Sequence, residues 1–332
     1  MRAERNQTTL AAPCTVSGRG YWTGQANSLT FLPAPADYGV RFIRTDLPGH
    51  PSVLAVAENR ASMPLRTRLT RGRAEVDMVE HVLAALHGMQ IDNAIIHCTA
   101  SEMPAMDGSS FAFALALQHA GRCQIPAPRA RLLLDRTIRV GDDQQWIVAE
   151  PLECRPLASK LGPQLAGAAG EVARDDILAF PPPCLELEYQ LDFGAASPIL
   201  KAQHAIRLQP QVFFDTICAA RTFIGIETAR VLQSQGIALH VTEQDLIVFD
   251  QHGPVNNRLR YPDECTRHKL LDLVGDLALT GIDVVGRITA HRGGHQLNGE
   301  LAAALRDLYL QQSAQTFVED ARRLALKPGL AA

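Results

Sequence analysis

The chain lacks several patterns that would place it in a specialised class of protein. Its seven cysteines are scattered over 332 residues, odd in number and without a C-x-x-C pair, which excludes a disulfide framework or a zinc ribbon and indicates a reducing compartment. A formal net charge of -3 provides no basic surface for nucleic acid. No apolar run is long enough to span a bilayer, and residues 1–20 contain no apolar core of a secretory signal. We therefore expect a cytoplasmic monomer without nucleic-acid partners and without stable membrane insertion.

Length and composition indicate a globular protein of about two domains. Hydrophobic residues make up 46% of the chain and charged residues 20%, which is enough apolar material for a substantial core. Residues 124–131 have the proline content of a linker. We therefore predict an N-terminal domain over 1–126, a C-terminal domain over 131–315 and a tail over 316–332. Residues 155–183 are rich in Ala, Gly and Pro and are interpreted as a surface excursion.

A polar face lies on one predicted helix, residues 261–281, which has a proline near its start and a glycine suited to a left-handed end. His268, Asp272 and Asp276 stand four residues apart in it, so an imidazole and two carboxylates share one face. His and Asp at this spacing can hold one metal ion from a single rigid element. The alternative is a solvated face whose carboxylates are balanced by neighbouring basic side chains.

A second predicted helix carries a histidine among apolar residues. Asp77, followed three residues later by Glu80, has the form of a capping box, which would give Glu80 a structural role. His87 lies near the end of this helix, where it would suit the helix dipole. His81 lies within the apolar part, and a histidine placed there needs a specific partner.

Two segments of the chain repeat the same order of elements. The helix with His81 leads to an Ile-Asp pair at 91–92 and a strand, and the helix with His268 leads to an Ile-Asp pair at 282–283 and another strand. This repetition predicts a duplicated α+β unit. Strands are predicted at 28–32, 40–44, 65–69, 91–97, 132–140, 146–150, 185–191, 246–249 and 284–290, and further helices at 111–119 and 212–221.

Five ordered motifs bring the chain close to a known family. They are Val79-Glu80-His81 with the following Ala-Ala-Leu-x-Gly-x-x-Ile-Asp-Asn93, Met103-Pro-x-Met-Asp-Gly-Ser109, Ala220-Arg-Thr-Phe223, Arg267-His-Lys-x-Leu-Asp272-x-x-Gly-Asp276, and Gly294-His295-x-Leu-Asn298. With these motifs the chain resembles the UDP-3-O-acyl-N-acetylglucosamine deacetylases, the zinc amidases that commit Gram-negative bacteria to lipid A. The resemblance covers about residues 17–305.

The resemblance implies an α+β fold and a metal cofactor. The fold would have two domains of like topology, each a sheet layered with two helices, and the active site would lie between them. His81, His268 and Asp272 would hold Zn²⁺ and leave a fourth position for water. Two imidazoles and one carboxylate form a usual open set for catalytic zinc. The substrate would be a UDP-linked acylated amino sugar.

The resemblance also implies catalytic roles. Glu80 would be the general base that takes a proton from water. His295, on a loop after two glycines, would protonate the leaving amine, and Asp276 would fix its tautomer. Thr222 would donate a hydrogen bond to the oxyanion. Lys269 would reach the nucleotide phosphate or support charge near the metal.

Substrate-shaping positions depart from the family pattern. Phe223 would pack against the sugar, as the family implies, but Ile224 replaces a usual glycine at the start of an acyl-passage insert over about 224–250. His240 and Val241 stand where two further glycines are usual. Tyr-Trp at 21–22 replaces Leu-His, and Asp-Met at 77–78 replaces Ser-Thr, while residues 155–183 have no counterpart. These departures affect substrate shape and leave the metal and proton-transfer residues intact. Two alternatives are a paralogous amidase acting on another N-acetylated nucleotide sugar and a non-catalytic relative.

Overall fold

The computed structural model describes residues 5–152, 185–195 and 197–325, with side chains described through residue 315. The predicted surface excursion at 155–183 lies outside the described residues. The described chain forms two halves, each combining a sheet with helices, which confirms the predicted α+β class.

The N-terminal half is built on a five-stranded sheet. In spatial order its strands are β2 (Cys14–Arg19), β3 (Ala26–Pro33), β9 (Ala94–Cys98), β4 (Val40–Arg44) and β5 (Ser52–Leu54). Along β3, Asn27, Leu29 and Phe31 are buried at alternate positions, because successive side chains of a strand point to opposite faces. Helices α1 (Glu80–Gly88) and α2 (Phe111–Ala120) complete this half, and Phe113 of α2 packs edge-on against Phe31.

A second, smaller sheet of the N-terminal half leads into α1. Its strands are β6 (Arg60–Ala61), β7 (Arg68–Arg71) and β8 (Ala74–Asp77), paired in antiparallel order. The strand predicted at 65–69 therefore begins three residues later, at Arg68, and ends two residues later, at Arg71. Leu65 has a φ of 65° and is 65% exposed, and a left-handed backbone is incompatible with an extended strand.

The C-terminal half repeats the architecture of the first. In spatial order its strands are β12 (Ile138–Gly141), β13 (Trp146–Glu150), β19 (Asp283–His291), β14 (Leu185–Leu191) and β15 (Ala202–Arg207), with the short β11 (Arg131–Leu133) also paired to β19. Its helices are α3 (Pro210–Thr216), α5 (Glu264–Leu277) and α6 (His295–Ala325). The leucines and Tyr189 of β14 are buried at every second position, as the alternating sequence predicts.

The two large sheets share one strand order. In each, the strand that follows the long buried helix takes the central place, namely β9 after α1 and β19 after α5. Each central strand is antiparallel to one neighbour and parallel to the other. This agreement supports the duplication inferred from the repeated segments, whereas the exact domain boundaries stay a prediction.

Several predicted boundaries differ from the observed elements. Residues 124–131, interpreted as a linker, are mostly occupied by β10 (Arg122–Pro128), which pairs antiparallel with β1 (Asn6–Leu10). The predicted strand over 132–140 is divided between β11 and β12, and α3 covers only the first part of the predicted helix at 212–221. A tail was expected from residue 316, whereas helix α6 continues to Ala325.

The insert of the C-terminal half forms a small unit of its own. It contains β16 (Phe223–Gly225), α4 (Ile226–Ser234), β17 (Ile247–Asp250) and β18 (Gly253–Pro254). Strand β16 pairs parallel with β17, and α4 has no buried residue. Among the described residues, no helix is both long enough and apolar enough to cross a bilayer.

An arginine near the start of the chain joins the two halves. Arg5 contacts Asp92 at 2.7 Å and Asp283 at 2.6 Å. These are the aspartates of the two repeated Ile-Asp pairs, one in each half. The Arg5 guanidinium therefore bridges equivalent positions of the duplication.

Helices α1 and α5 pack against each other where the halves meet. Leu270, Leu271, Val274 and Leu277 of α5 are buried, as the apolar stripe predicts. At Gly275 the two backbones approach so closely that an added Cβ would lie 2.1 Å from the carbonyl oxygen of Glu80. A short 3-10 helix (Ala278–Thr280) continues α5, and Gly281 ends it at a φ of 69°, the left-handed end expected from the sequence.

Candidate active site

Three side chains predicted to hold metal meet at the contact of α1 and α5. One ligand atom of each of His81, His268 and Asp272 lies within 4.8 Å of the others, and all three side chains are buried. Asp272 Oδ1 is 3.4 Å from His268 Nε2 and 3.8 Å from His81 Nε2. Residues from both halves of the duplication therefore converge on one point.

The hydrogen bonds around this cluster suit a metal ligand set. Asp272 Oδ1 is fully buried and has no hydrogen-bond partner, and a buried carboxylate oxygen without a partner is costly. His268 Nδ1 lies 3.0 Å from the carbonyl oxygen of Ala220, so Nδ1 carries the proton and Nε2 keeps its lone pair. Such an outer hydrogen bond is usual for metal-bound histidine, and these residues fit a divalent ion such as zinc.

The charges of the cluster are also those that a metal requires. Burial, followed by the neighbouring His268, lowers the pKa of His81 to about 3, so its imidazole is neutral. Burial alone would raise the pKa of Asp272, but Lys269 and the surrounding histidines hold it well below its usual range. Lys269 Nζ contacts Asp272 Oδ2 at 2.8 Å. Lys269 thus supports the carboxylate directly, one of its two predicted placements.

Glu80 lies beside His81 at the first residue of α1 and is 2% exposed. Its Oε2 accepts a hydrogen bond from the backbone N–H of Thr67 at 3.0 Å. Burial raises the pKa of Glu80 to about 7. The capping-box interpretation is wrong, because Val79 occupies the N-cap position without a side-chain cap, and Asp77 binds Arg66 and Arg68 instead.

His295 and Asp276 form a buried pair beside the cluster. His295 Nδ1 lies 2.9 Å from Asp276 Oδ2, and His295 Nε2 lies 3.7 Å from Asp272 Oδ2. Burial alone would lower the pKa of His295, but Asp276 and Asp272 raise it to about 9. His295 was expected on a loop, whereas it is the first residue of α6.

The Thr222–Phe223 segment is held against the start of α5 by a buried ion pair. Arg221 Nε contacts Glu264 Oε1 at 2.8 Å, and Glu264 is completely buried. The backbone N–H of Thr222 donates to Gly108, and its hydroxyl has no protein partner among the described residues. The Phe223 ring lies 6.2 Å from the His268 ring. The segment is therefore fixed beside the cluster with the Thr222 hydroxyl available.

The remaining predicted substrate residues lie in the insert. Ile224 is on β16 next to Phe223, and Val241 packs on the apolar core. His240 Nε2 contacts the carbonyl oxygen of Gly20 at 2.8 Å, and its ring lies against Gly24. His240 thus joins the insert to residues 18–24, the loop that contains the Tyr-Trp pair. Its predicted role in binding an acyl chain stays a prediction.

Sequence reasoning missed Thr67 and Asn298, two residues that donate hydrogen bonds to Asp276. Asp276, which is completely buried, accepts hydrogen bonds from the Thr67 hydroxyl at 2.5 Å and from Asn298 Nδ2 at 2.9 Å, in addition to His295. Asn298 was present in the last motif and three residues from His295, which was a usable signal. Thr67 lies in a polar segment of the other half, and no local pattern connects it to Asp276.

Two departures from the family pattern are linked by Arg66. Its guanidinium lies 4.2 Å from the Trp22 ring centroid, and its Nε contacts Asp77 Oδ2 at 2.9 Å. Tyr21 adds a hydrogen bond from its hydroxyl to the carbonyl oxygen of Asp245 in the insert. The Tyr-Trp and Asp-Met replacements therefore form one connected structure.

The site combines two neutral imidazoles and a carboxylate with a buried glutamate and a histidine–aspartate pair. This is the arrangement of a metal-dependent hydrolase. The model of the UDP-3-O-acyl N-acetylglycosamine deacetylase (LpxC) family matches residues 7–162 and 169–307. The chain therefore belongs to this family, and it is a hydrolase of the deacetylase class.

Individual relatives agree along nearly the whole chain. A UDP-3-O-acyl-N-acetylglucosamine deacetylase of Psychrobacter cryohalolentis is 32% identical over 298 residues, which cover 89% of this chain and 84% of the relative. The enzyme of the same name from Anaeromyxobacter dehalogenans is 33% identical over 301 residues, covering 90% and 87%. One from a Shewanella species is 30% identical over 302 residues, covering 90% and 89%.

Proposed function

We propose that the chain uses zinc to hydrolyse the N-acetyl amide of a UDP-3-O-acyl-N-acetylglucosamine. The products would be acetate and the free 2-amine, the committed step of lipid A synthesis. The names of the relatives support the substrate class. The observation that carries the proposal is the unpartnered, buried Asp272 Oδ1 facing two imidazole nitrogens, with Glu80 and His295 beside it.

His81, His268 and Asp272 would hold the zinc ion. When bound there, zinc supplies a Lewis acid that activates water and polarises the amide carbonyl. Lys269 keeps Asp272 ionised and oriented through its 2.8 Å contact. The Ala220 carbonyl keeps His268 in the tautomer that leaves Nε2 unprotonated.

Two protein groups beside the cluster carry the protons. Glu80 accepts the proton of the attacking water, since its buried carboxylate ionises near neutral pH. His295 carries a proton that the leaving amine requires when the C–N bond breaks. Asp276 holds the imidazolium through Nδ1 and stabilises its charge, so that Nε2 is the donating atom.

Substrate positioning is assigned to the segment beside α5. The Thr222 hydroxyl would donate to the oxyanion that forms from the amide carbonyl, because it has no protein partner among the described residues and lies on a fixed segment. Phe223 would pack against the sugar. These two neighbouring residues would thereby orient the amide relative to Glu80 and His295.

The test is hydrolysis by purified, zinc-loaded protein. Substrates are UDP-N-acetylglucosamine and its 3-O-acyl derivatives of graded chain length, and the measurement is acetate and free amine release. We expect release from the acylated substrates, with Glu80→Gln inactive but still holding about one zinc per chain. The Lys201→Gln variant, at an exposed ion pair with Asp192, is the matched surface control. No release from any acylated substrate would refute the proposed reaction.

The acyl-chain preference is a separate part of the proposal. Ile224 and His240 replace glycines, and added side chains narrow a passage that a glycine leaves open. We expect a preference for a shorter or differently placed chain than a wide passage accepts. Each buried methylene contributes about 0.8 kcal/mol, so kcat/KM should change steeply with chain length. An Ile224→Gly/His240→Gly variant with the same profile as the natural protein, peaking at long chains, would refute this preference.

A second candidate substrate follows from the connected structure around Arg66. Trp22 and Asp77, which Arg66 connects, replace the family's usual side chains, and these replacements favour another N-acetylated nucleotide sugar. Including other UDP-linked N-acetyl sugars in the same assay distinguishes the two substrates.

We also place the reaction in the cytoplasm, since Cys98, Cys218 and Cys265 are buried free thiols, which suit a reducing compartment.

A further inference from the structure

Thr67 uses each of its polar groups to connect parts of the site. Its backbone N–H donates to Glu80 Oε2 at 3.0 Å, and its carbonyl oxygen accepts from the N–H of Val79 at 3.2 Å. Its hydroxyl donates to Asp276 Oδ1 at 2.5 Å. Thr67 therefore forms hydrogen bonds both to Glu80, the proposed base, and to Asp276, the partner of the proposed acid His295.

The position of Thr67 is held from both sides along the chain. Arg66 and Arg68 contact the same oxygen, Oδ2 of Asp77, at 2.9 Å and 2.7 Å. The Thr67 side chain is completely buried, next to His295 Nδ1 at 3.4 Å. With both neighbours bound to one carboxylate, Thr67 has little freedom to move relative to Asp276.

The connection crosses the boundary between the two halves. Thr67 and Glu80 belong to the N-terminal half, whereas Asp276 and His295 belong to the C-terminal half. The other two donors to Asp276 are Asn298 and His295, both on α6. Among the described residues, Asp276 thus receives one hydrogen bond from the N-terminal half, which carries Glu80, and the Thr67 hydroxyl donates it.

We propose that Thr67 is a positioning residue that sets the placement of His295 relative to Glu80 through Asp276. The role rests on the proposed hydrolysis. Without the hydroxyl, Asp276 Oδ1 loses its donor, and a carboxylate held on one oxygen alone can rotate about the Cβ–Cγ bond. The imidazole that Asp276 orients then moves with it, away from the geometry needed to protonate the amine.

The test compares two variants of Thr67 with a matched control. Thr67→Val keeps the shape and the backbone N–H to Glu80 but removes the hydroxyl, whereas Thr67→Ser retains it. We expect Thr67→Val to lower kcat by about 10–100-fold with KM and bound zinc unchanged, and Thr67→Ser to restore most of it. The control is Thr266→Val, since Thr266 is buried on α5 and its hydroxyl makes no hydrogen bond.

A double-mutant cycle separates positioning from general support of the fold. If Thr67 acts through Asp276, Thr67→Val should cost little further kcat in an Asp276→Asn background. Additive losses, or equal kcat values for Thr67→Val and Thr67→Ser, would overturn the assignment. Absence of activity in the natural protein would instead refute the proposed hydrolysis, so the two failures are distinguishable.

Discussion

Adding one methyl group at Gly275 should damage the site from the opposite helix. Gly275 lies in α5 between Asp272 and Asp276, and a Cβ there would be 2.1 Å from the Glu80 carbonyl oxygen. Carbon–oxygen contacts are normally about 3.3–3.6 Å, so the two backbones would have to separate by roughly 1.2–1.5 Å. The obstacle is backbone on both sides, and no rotation of a side chain relieves it.

The expected magnitude is the difference of two opposing effects. Replacing a glycine inside a helix by alanine normally stabilises by about 1 kcal/mol. Overpacking a tight contact costs about 1–3 kcal/mol, and a backbone contact belongs at the upper end. We therefore expect Gly275→Ala to lose about 2 kcal/mol, or about 4–8 °C in Tm. The displaced backbone carries the proposed base, so kcat should fall by up to about 100-fold.

The assay combines thermal unfolding, zinc content and kcat for Gly275→Ala. Gly225→Ala is the comparison, because a Cβ there would meet no other atom within 4 Å. It should leave Tm within about 2 °C of the natural protein. A Gly275→Ala protein as stable and as active as the natural one would refute the close approach of α1 and α5.

Three further outcomes follow from the site. Asp272→Ala should abolish zinc binding measured by metal analysis, and full zinc occupancy would remove the ligand assignment. Activity should be lost as pH falls through the pKa of Glu80, about 7, and as pH rises through the pKa of His295, about 9. Bound zinc should lower both pKa values. A His295→Gln variant whose activity still falls at high pH would contradict this assignment. Trp22→Ala and Arg66→Met should be coupled by about 0.5–2 kcal/mol in a double-mutant cycle of unfolding free energy, and additivity would mean that the ring contact contributes nothing.

Local patterns predicted the elements that carry the metal ligands. The apolar spacing and Gly281 were enough to predict α5, and the four-residue interval placed His268 and Asp272 on one face. The meeting of His81 with His268 is different, because it depends on the packing of two helices whose histidines are 187 residues apart along the chain. Among the sequence observations, only the resemblance to a family predicted that His81 and His268 lie in one site.

Long-range partners also explain the predictions that were wrong. The capping-box pattern at Asp77 and Glu80 is a local signal, but Asp77 is drawn into two arginine contacts and Glu80 into a hydrogen bond with Thr67. Strand β10 is mostly exposed and contains prolines, so its sequence resembles a linker, and only its pairing with β1 makes it a strand. Such tertiary contacts are invisible to a reading of neighbouring residues.

The bridge formed by Arg5 has a consequence for the order of events during synthesis. Arg5 and Asp283 are separated by 278 positions, whereas Asp92 is made early. At about 5–20 residues per second, roughly 15–55 s pass between the synthesis of Arg5 and that of Asp283. During this interval the guanidinium can bind Asp92 alone, in a half that already carries Glu80 and His81. This joint between the halves therefore closes only when the strand at the centre of the second sheet has emerged, after His268 and Asp272 have been made.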